Sequence, residues 1–347
     1  MISDSGSYLL QKYKGCLLGA VLGDALGMPH ETLPVHPPQP LTFKKAYRGH
    51  PNELLLPGQY TDDGQIILIS ARILTESPAN FNGEAYAKEL LRTHLLHKFR
   101  YADGAVIAAC KKMDSSKNLL ESGINSDTAG CIALSIPFAL GYANKREMAK
   151  ELSSACCITH ANVTAQAGAV GLSLFLKTLI ETGDTNAAFK ALDSAAENMC
   201  PELASRLSYA HRLVSNGVPL SSAAAELGTS SQITQIIPLS VYLCRMFSSP
   251  TDLLTAAVSC GGNAGTVAMI CGAFVGARYG FSALPLDMVQ NVERAGIFNE
   301  LAEKLCQRAF PAEPVSENAP EKDDDNSEEE KTEESGAPDP ANSSNSV

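Results

Sequence analysis

The chain lacks a cysteine framework. Its ten cysteines have no regular spacing and include no Cys-x-x-Cys pair, so nothing in them supports a disulfide scaffold. Most lie among apolar neighbours, where a free thiol behaves as a small hydrophobe. The opening Met1-Ile2-Ser3-Asp4 lacks the charged-then-apolar pattern of a secretory leader, and a reducing setting, cytosol or nucleus, is expected. Long apolar runs are scarce as well. Thr266 to Ala277 reads as the longest, about half of the roughly 20 residues a membrane span requires, so no membrane partner is expected. No period-2 alternation persists anywhere, which excludes a sheet-built fold.

A basic field is absent too. The formal net charge is −11, but residues 311–347 hold twelve Asp or Glu against two Lys, leaving about −1 for residues 1–310. Direct nucleic-acid binding is therefore not expected of the body. The tail, with Asp323-Asp324-Asp325 and Glu328-Glu329-Glu330, has too little apolar surface to fold alone and reads as a disordered acidic appendage. With 45% hydrophobic residues overall, residues 1–310 can close one large core, and a single all-α domain is the expected class. A monomer is expected.

What the chain does have is glycine at helical spacing. Gly15, Gly19, Gly23 and Gly27 fall four apart within a helix expected over Tyr8–Gly27, and Ala264, Ala268, Gly272, Gly276 and Gly280 repeat the step near the other end. Each glycine inside a helix costs about 1 kcal/mol against alanine, and close approach of another backbone is the compensation such rows suggest. Two central helices packed on each other are expected, against the plainer alternative of separate ridges. Between the rows runs a series of helices from Gln65 to Ser259, with one continuous helix expected over 130–142.

The chemistry concentrates at Tyr60-Thr61-Asp62-Asp63-Gly64-Gln65, where two carboxylates precede an apolar helical run. Thr61 is placed to cap that helix, and the dipole favours the acids. An irregular stretch, 34–59, holds six prolines and leads into it; loops of that length are commonly functional. Asp24 puts a charge in an apolar helix, and Glu31 follows Met28-Pro29-His30, where it can be aimed into a cleft. Ser126-Asp127-Thr128-Ala129-Gly130 and Thr159-His160 precede helices, whose N-termini can take anions. Cys260-Gly261-Gly262-Asn263-Ala264-Gly265-Thr266 opens the second glycine helix, but without Gly-Lys-Ser/Thr or a preceding strand it is no P-loop.

Taken in order, Gly19 to Gly27 with Glu31, Tyr60-Thr61-Asp62-Asp63, Gly130 with Pro137, Thr159-His160, and Gly261-Gly262 through Thr266 with Gly272-Ala273 and Gly276-Ala277 resemble the ADP-ribosylglycohydrolase family over about residues 12–282. The resemblance implies a single-domain orthogonal helical bundle that removes ADP-ribose from modified side chains or cleaves related linkages. It implies metal ligation by Thr61, Asp62, Asp63, Asn263 and Thr266, and catalytic roles for Glu31, Asp62 and Asp63, with Glu31 on a flap over the ribose. Substrate contacts are implied at Asp24, Ser126, Asp127, Gly130, His160, Gly261 and Gly262.

The chain departs from the family at its third metal segment. Where the family reads Gly-Gly-Asp-x-Asp-Thr, Asn263 and Gly265 replace both carboxylates. Two divalent ions within about 4 Å would then repel strongly with only Asp62 and Asp63 to offset them. One Mg2+, which manages with one or two carboxylates plus waters and substrate oxygens, is expected rather than two, with Mn2+ as an alternative. The Met-Arg-bearing loop the family carries before the Pro137 position is also missing. Three readings follow: an altered ADP-ribosyl hydrolase, a pseudoenzyme that binds ADP-ribose or a related nucleotide without turnover, or a scaffold use of the fold; the expected partner is ADP-ribose or ADP-ribosylated protein.

Overall fold

A computed structural model describes residues 4–77 and 79–311. The acidic tail expected at 311–347 lies, apart from Pro311, outside them. Fifteen α-helices account for most of the described chain: α1 (Asp4–Gly27), α2 (Asp62–Glu76), α3 (Gly83–Leu95), α4 (Gly104–Ser116), α5 (Ser135–Gly141), α6 (Lys145–Cys156), α7 (Val163–Thr182) and α8 (Thr185–Met199). They continue with α9 (Pro201–Ser215), α10 (Leu220–Leu227), α11 (Ile233–Met246), α12 (Pro250–Ser259), α13 (Ala264–Tyr279), α14 (Leu286–Asn291) and α15 (Ala295–Ala309). Among the described residues there is no strand; only two isolated bridges occur, Ile124 with His160 and Thr128 with Gln232.

The two glycine rows meet. α1 and α13 run antiparallel at the centre, with Gly15 facing Gly276 and Gly280, Gly19 facing Gly272, Gly23 facing Ala268 and Gly27 facing Ala264. A methyl group on Gly15 would stand 2.7 Å from the Gly280 carbonyl carbon, and one on Gly27 would stand 2.7 Å from Gly265 Cα. Backbones this close gain dispersion contacts along their whole length, which compensates the low helix propensity of glycine. α15 packs along α1, α2 and α5, and α7 pairs with α8.

Three expectations are corrected. The continuous helix over 130–142 is a 3-10 turn, Ala129–Leu134, followed by α5. Pro137 has no N–H for the Ala133 carbonyl, and its ring crowds that oxygen, so the regular ladder begins only at Ser135. The longest apolar helix is α7, not the segment at Thr266–Ala277: its 20 residues are long and apolar enough to cross a membrane. Its most apolar window is 78% buried inside the protein, and the buried Lys177 places its Nζ 3.0 Å from Glu181, as in a core helix. Finally, α15 buries Phe298, Leu301, Ala302, Leu305 and Ala309 at helical spacing, a stripe for which no helix was anticipated.

The Gly23→Ala variant should lose at least about 2 kcal/mol of stability, because its methyl meets the Ala268 backbone rather than a movable side chain. Gly296→Ala, where nothing lies within 4 Å, should be neutral or stabilised by up to about 1 kcal/mol. Denaturant midpoints of the two variants measure the difference.

Candidate functional site

The first turn of α2 is built around a carboxylate from another helix. Thr61 Oγ1 accepts the Asp63 N–H at 3.3 Å, as its expected capping role requires. The Asp24 carboxylate of α1 accepts Thr61 N–H at 3.0 Å, Thr61 O–H at 2.8 Å and Gly64 N–H at 2.8 Å. N–H groups that a helix start leaves without partners are satisfied by a buried anion. Burial pushes Asp24 up to about 6, while the Thr61 and Gly64 bonds favour the ionised form.

Asp62 and Asp63 face a cavity of about 900 Å3, within the roughly 300–1,000 Å3 of ligand clefts. The mouth of α13 forms its other side. Thr266 Oγ1 lies 2.7 Å from Asp63 Oδ2 and 3.0 Å from Asn263 Oδ1, its single proton shared between them. The start of α2 and the glycine loop before α13, some two hundred residues apart, thus meet at one point. Asp62 turns the other way, accepting the Asp103 N–H at 3.2 Å on Oδ2.

Glu31 is held in place by backbone. Thr32 N–H donates to Gly262 O and Gly262 N–H to Leu33 O, both at 2.8 Å. Gly261 and Gly262 are both left-handed, at φ 59° and 56°, and a side chain on Gly261 would strike the Leu33 and Pro34 carbonyls. This strap directs the Glu31 carboxyl over Gly265, where its Oε1 fills the space a side chain at 265 would need. Its Oε2 is buried without a hydrogen-bond partner. Burial, followed by the carboxylates of Asp24, Asp62 and Asp63, holds Glu31 well above the usual range. Asp63 is shifted the same way by burial and by Asp62, and Asp62 rises to about 8.

Of the expected site residues, Glu31, Asp62, Asp63, Gly130, Gly262, Asn263 and Thr266 line the cavity. Others expected to contact substrate do not line it. Asp24 is fully buried and spends its oxygens on α2. Gly261 serves the backbone crossing. Ser126 bonds Thr128 Oγ1 at 2.9 Å, and the Asp127 carbonyl accepts the Ile233 N–H at 2.9 Å. The Ala129 N–H that would greet an anion donates to Ser231 O instead. His160 is fully buried behind the wall, 3.2 Å from Thr128 Oγ1 and 3.4 Å from Asp103 Oδ1. Thr61, expected as a metal ligand, is also enclosed, its hydroxyl engaged by Asp24 and Asp63.

Two walls were not anticipated: Tyr101 to Gly104, and Thr229 to Ser231. Asp103 is the notable member. It caps α4 by accepting Ala105 N–H at 2.8 Å, and takes Thr128 O–H at 3.0 Å, both on Oδ1. Burial raises its carboxyl, but the bonds and charge of His160 more than offset that and leave it below the ordinary value. The sequence signal was the cap itself, an Asp directly before a helix, which cannot by itself reveal which cavity it faces.

The oxygen donors at hand, carboxylates, hydroxyls and an amide, are the type a hard divalent cation prefers. Among the described residues no three His, Cys, Asp or Glu side chains stand close enough to hold an ion by themselves. The partnerless Glu31 Oε2 beside a crowd of raised carboxyls is the feature that suits added positive charge.

Fold and cavity together define an all-helical protein with an acidic cleft of nucleotide size. The sequence profile of the ADP-ribosylglycohydrolase family matches residues 5–314. Relatives include an uncharacterised protein of Archaeoglobus fulgidus, 28% identical over 86% of this chain and 96% of its own length. The ADP-ribosylhydrolase ARH3 of Danio rerio is 24% identical over 86% and 90%, and the ADP-ribosylarginine hydrolase Tri1 of Serratia proteamaculans 22% identical over 86% and 80%. A solved structure described as an ADP-ribosylglycohydrolase-related protein complex superposes with a TM-score of 0.72 at 20% identity, covering 88% of this chain and all of that one. The chain belongs to the ADP-ribosylglycohydrolase family.

A carboxyl held above its ordinary value keeps a proton that the unfolded chain has released, so native stability falls as pH rises through the interval. For Asp62 that interval runs from 3.8 to about 8. In chelator, the melting temperature should decline between about pH 5 and about pH 8, and Asp62→Asn should flatten the slope. Thermal melts across that range test this; a profile identical in wild type and Asp62→Asn would reject the assignment.

Proposed function

We propose that the chain hydrolyses an ADP-ribosyl glycosidic linkage with the help of one divalent cation, Mg2+ with Mn2+ as an alternative. The observation that carries this reading is the convergence of Asp63, Thr266 and Asn263 beneath a Glu31 carboxyl that lies over Gly265. Glu31 brings back to the α13 mouth one of the negative charges lost at positions 263 and 265. Asp63 and Glu31, with the amide of Asn263 and the hydroxyl of Thr266, would hold the ion, and Asp62 would add its charge from the same helix start. When bound it would neutralise the crowded carboxyls and polarise the ribose hydroxyls.

The remaining work falls to the chain's own groups. The cavity admits a ligand of ADP-ribose size, and the hydroxyls of Thr229, Ser230 and Ser231 offer its polar parts hydrogen bonds. Asp103, kept ionised by His160 and lining the cavity, is the carboxylate available to take a proton from an attacking water. An oxocarbenium-like transition state at the anomeric carbon follows the logic of other glycosidic cleavages.

A second reading, tight binding of ADP-ribose without turnover, is favoured by the missing carboxylates at Asn263 and Gly265. Calorimetric titration with Mg2+ and with ADP-ribose, alongside release of free ADP-ribose from ADP-ribosylated protein, separates the two. Mg2+-dependent release, cut about 100-fold or more in kcat by Asp103→Asn with ADP-ribose affinity retained, supports hydrolysis. Binding without release supports the second reading, and absence of both rejects each.

A further inference from the structure

A second cavity, of about 260 Å3, shares no lining residue with the acidic one. Its walls are the face of α2 that carries Leu68, Ile69 and Arg72 and the face of α3 that carries Glu89 and Arg92. Its end is closed by Lys98, Arg100 and Arg294. The five cations thus come from α2, α3, the turn after α3 and the residue before α15. Only one carboxylate, Glu89, lines the cavity with them.

The ion pairs leave a surplus. Glu89 takes Arg92 at 2.9 Å, and Glu293 takes Arg100 through both guanidinium nitrogens, at 2.5 and 2.9 Å. The side chains of Arg72, Lys98 and Arg294 have no carboxylate partner among the described residues. Three cations without an ion pair in one concavity, with Glu293 acting on Arg294 from beside it, make a local positive field on a body whose net charge is close to neutral.

Arg294 strengthens the argument independently. It is the N-cap of the 15-residue α15 with no side-chain capping bond, and the first turn of that helix carries no acid. A cation at the positive end of a helix dipole is disfavoured. Its backbone is also left-handed, at φ 60°, as is that of His97 beside Lys98, at φ 52°, a region non-glycine residues seldom occupy. An anion between Arg294, Lys98 and Arg72 would relieve the repulsion among these side chains.

We propose that this cavity binds a small phosphate-bearing anion, of the size and charge of inorganic pyrophosphate. Guanidinium forks match phosphate oxygens in pairs, and the ammonium of Lys98 adds a point charge. The space is too small for the ligand expected in the larger cavity, and the inference does not depend on what that cavity does.

The test is calorimetric titration of the full chain with sodium pyrophosphate in EDTA, at ionic strength matched with chloride. One saturable site is expected, with orthophosphate weaker at the same place. Arg72→Gln, Lys98→Gln and Arg294→Asn should each weaken binding about tenfold; asparagine is chosen because it tolerates the left-handed backbone. Lys88→Gln, an exposed α3 cation outside the cavity, should leave binding unchanged. Arg72→Gln and Lys98→Gln sit at exposed positions, so either alone decides the matter should Arg294→Asn unfold. Heats equal to those of chloride, or pyrophosphate affinity untouched by the variants, would overturn the proposal.

Discussion

The bonds from Thr61 and Gly64 to the Asp24 carboxylate join the central helix pair to the start of α2. Asp24 stands between Gly23 and Gly27, so the helix that carries it is fixed by backbone contact with α13 on either side. That contact has no side-chain slack: at Gly19 and Gly272 each backbone fills the room a methyl would take on the other. The first turn of α2 therefore inherits the rigidity of the seam. Asp62 and Asp63 are presented to the cavity by a helix end that cannot drift relative to Asn263 and Thr266.

The same arrangement creates an electrostatic problem. Asp24, Glu31, Asp62 and Asp63 are all buried, and taking carboxylates out of water favours their neutral forms. Asp24 is satisfied by donors, whereas Glu31 Oε2 is not. Asp103 escapes the trend through His160 and Thr128. One cleft thus contains carboxyls driven in opposite directions by their surroundings, which a uniform acidic surface patch would not show.

The departure at positions 263 and 265 acquires a structural meaning in this light. Gly265 leaves room that the Glu31 carboxyl enters, and an aspartate there would expel it. The absence of a side chain at 265 and the position of the Glu31 carboxyl over it are therefore linked in this chain. The strap between Thr32, Leu33 and Gly262 fixes its geometry, because the left-handed glycine pair lets the two loops touch.

Much of this was legible from residue order. The four-residue step of the glycines announced two helices needing close partners, since no side chain remained to pack otherwise. Thr61 before Asp62-Asp63 and an apolar run announced a capped helix. The helical class followed from the absence of alternation. Local rules failed at the 3-10 turn before α5, where Pro137 acts on a carbonyl four residues earlier, and at α15, whose apolar stripe was left unassigned. Asp103 was not singled out, because an Asp at a helix start needs no explanation beyond the helix itself. By itself, then, the sequence determined most of the helical segments, that two of them need a close backbone partner, and which carboxylates stand at a helix start, all consequences of short-range geometry. Only the tertiary structure decided that Asp24 serves α2 rather than a ligand, that Glu31 occupies the space over Gly265, and that Asp103 faces the cleft. Burial and Coulomb forces act between groups that are far apart in the chain and become neighbours only when it folds.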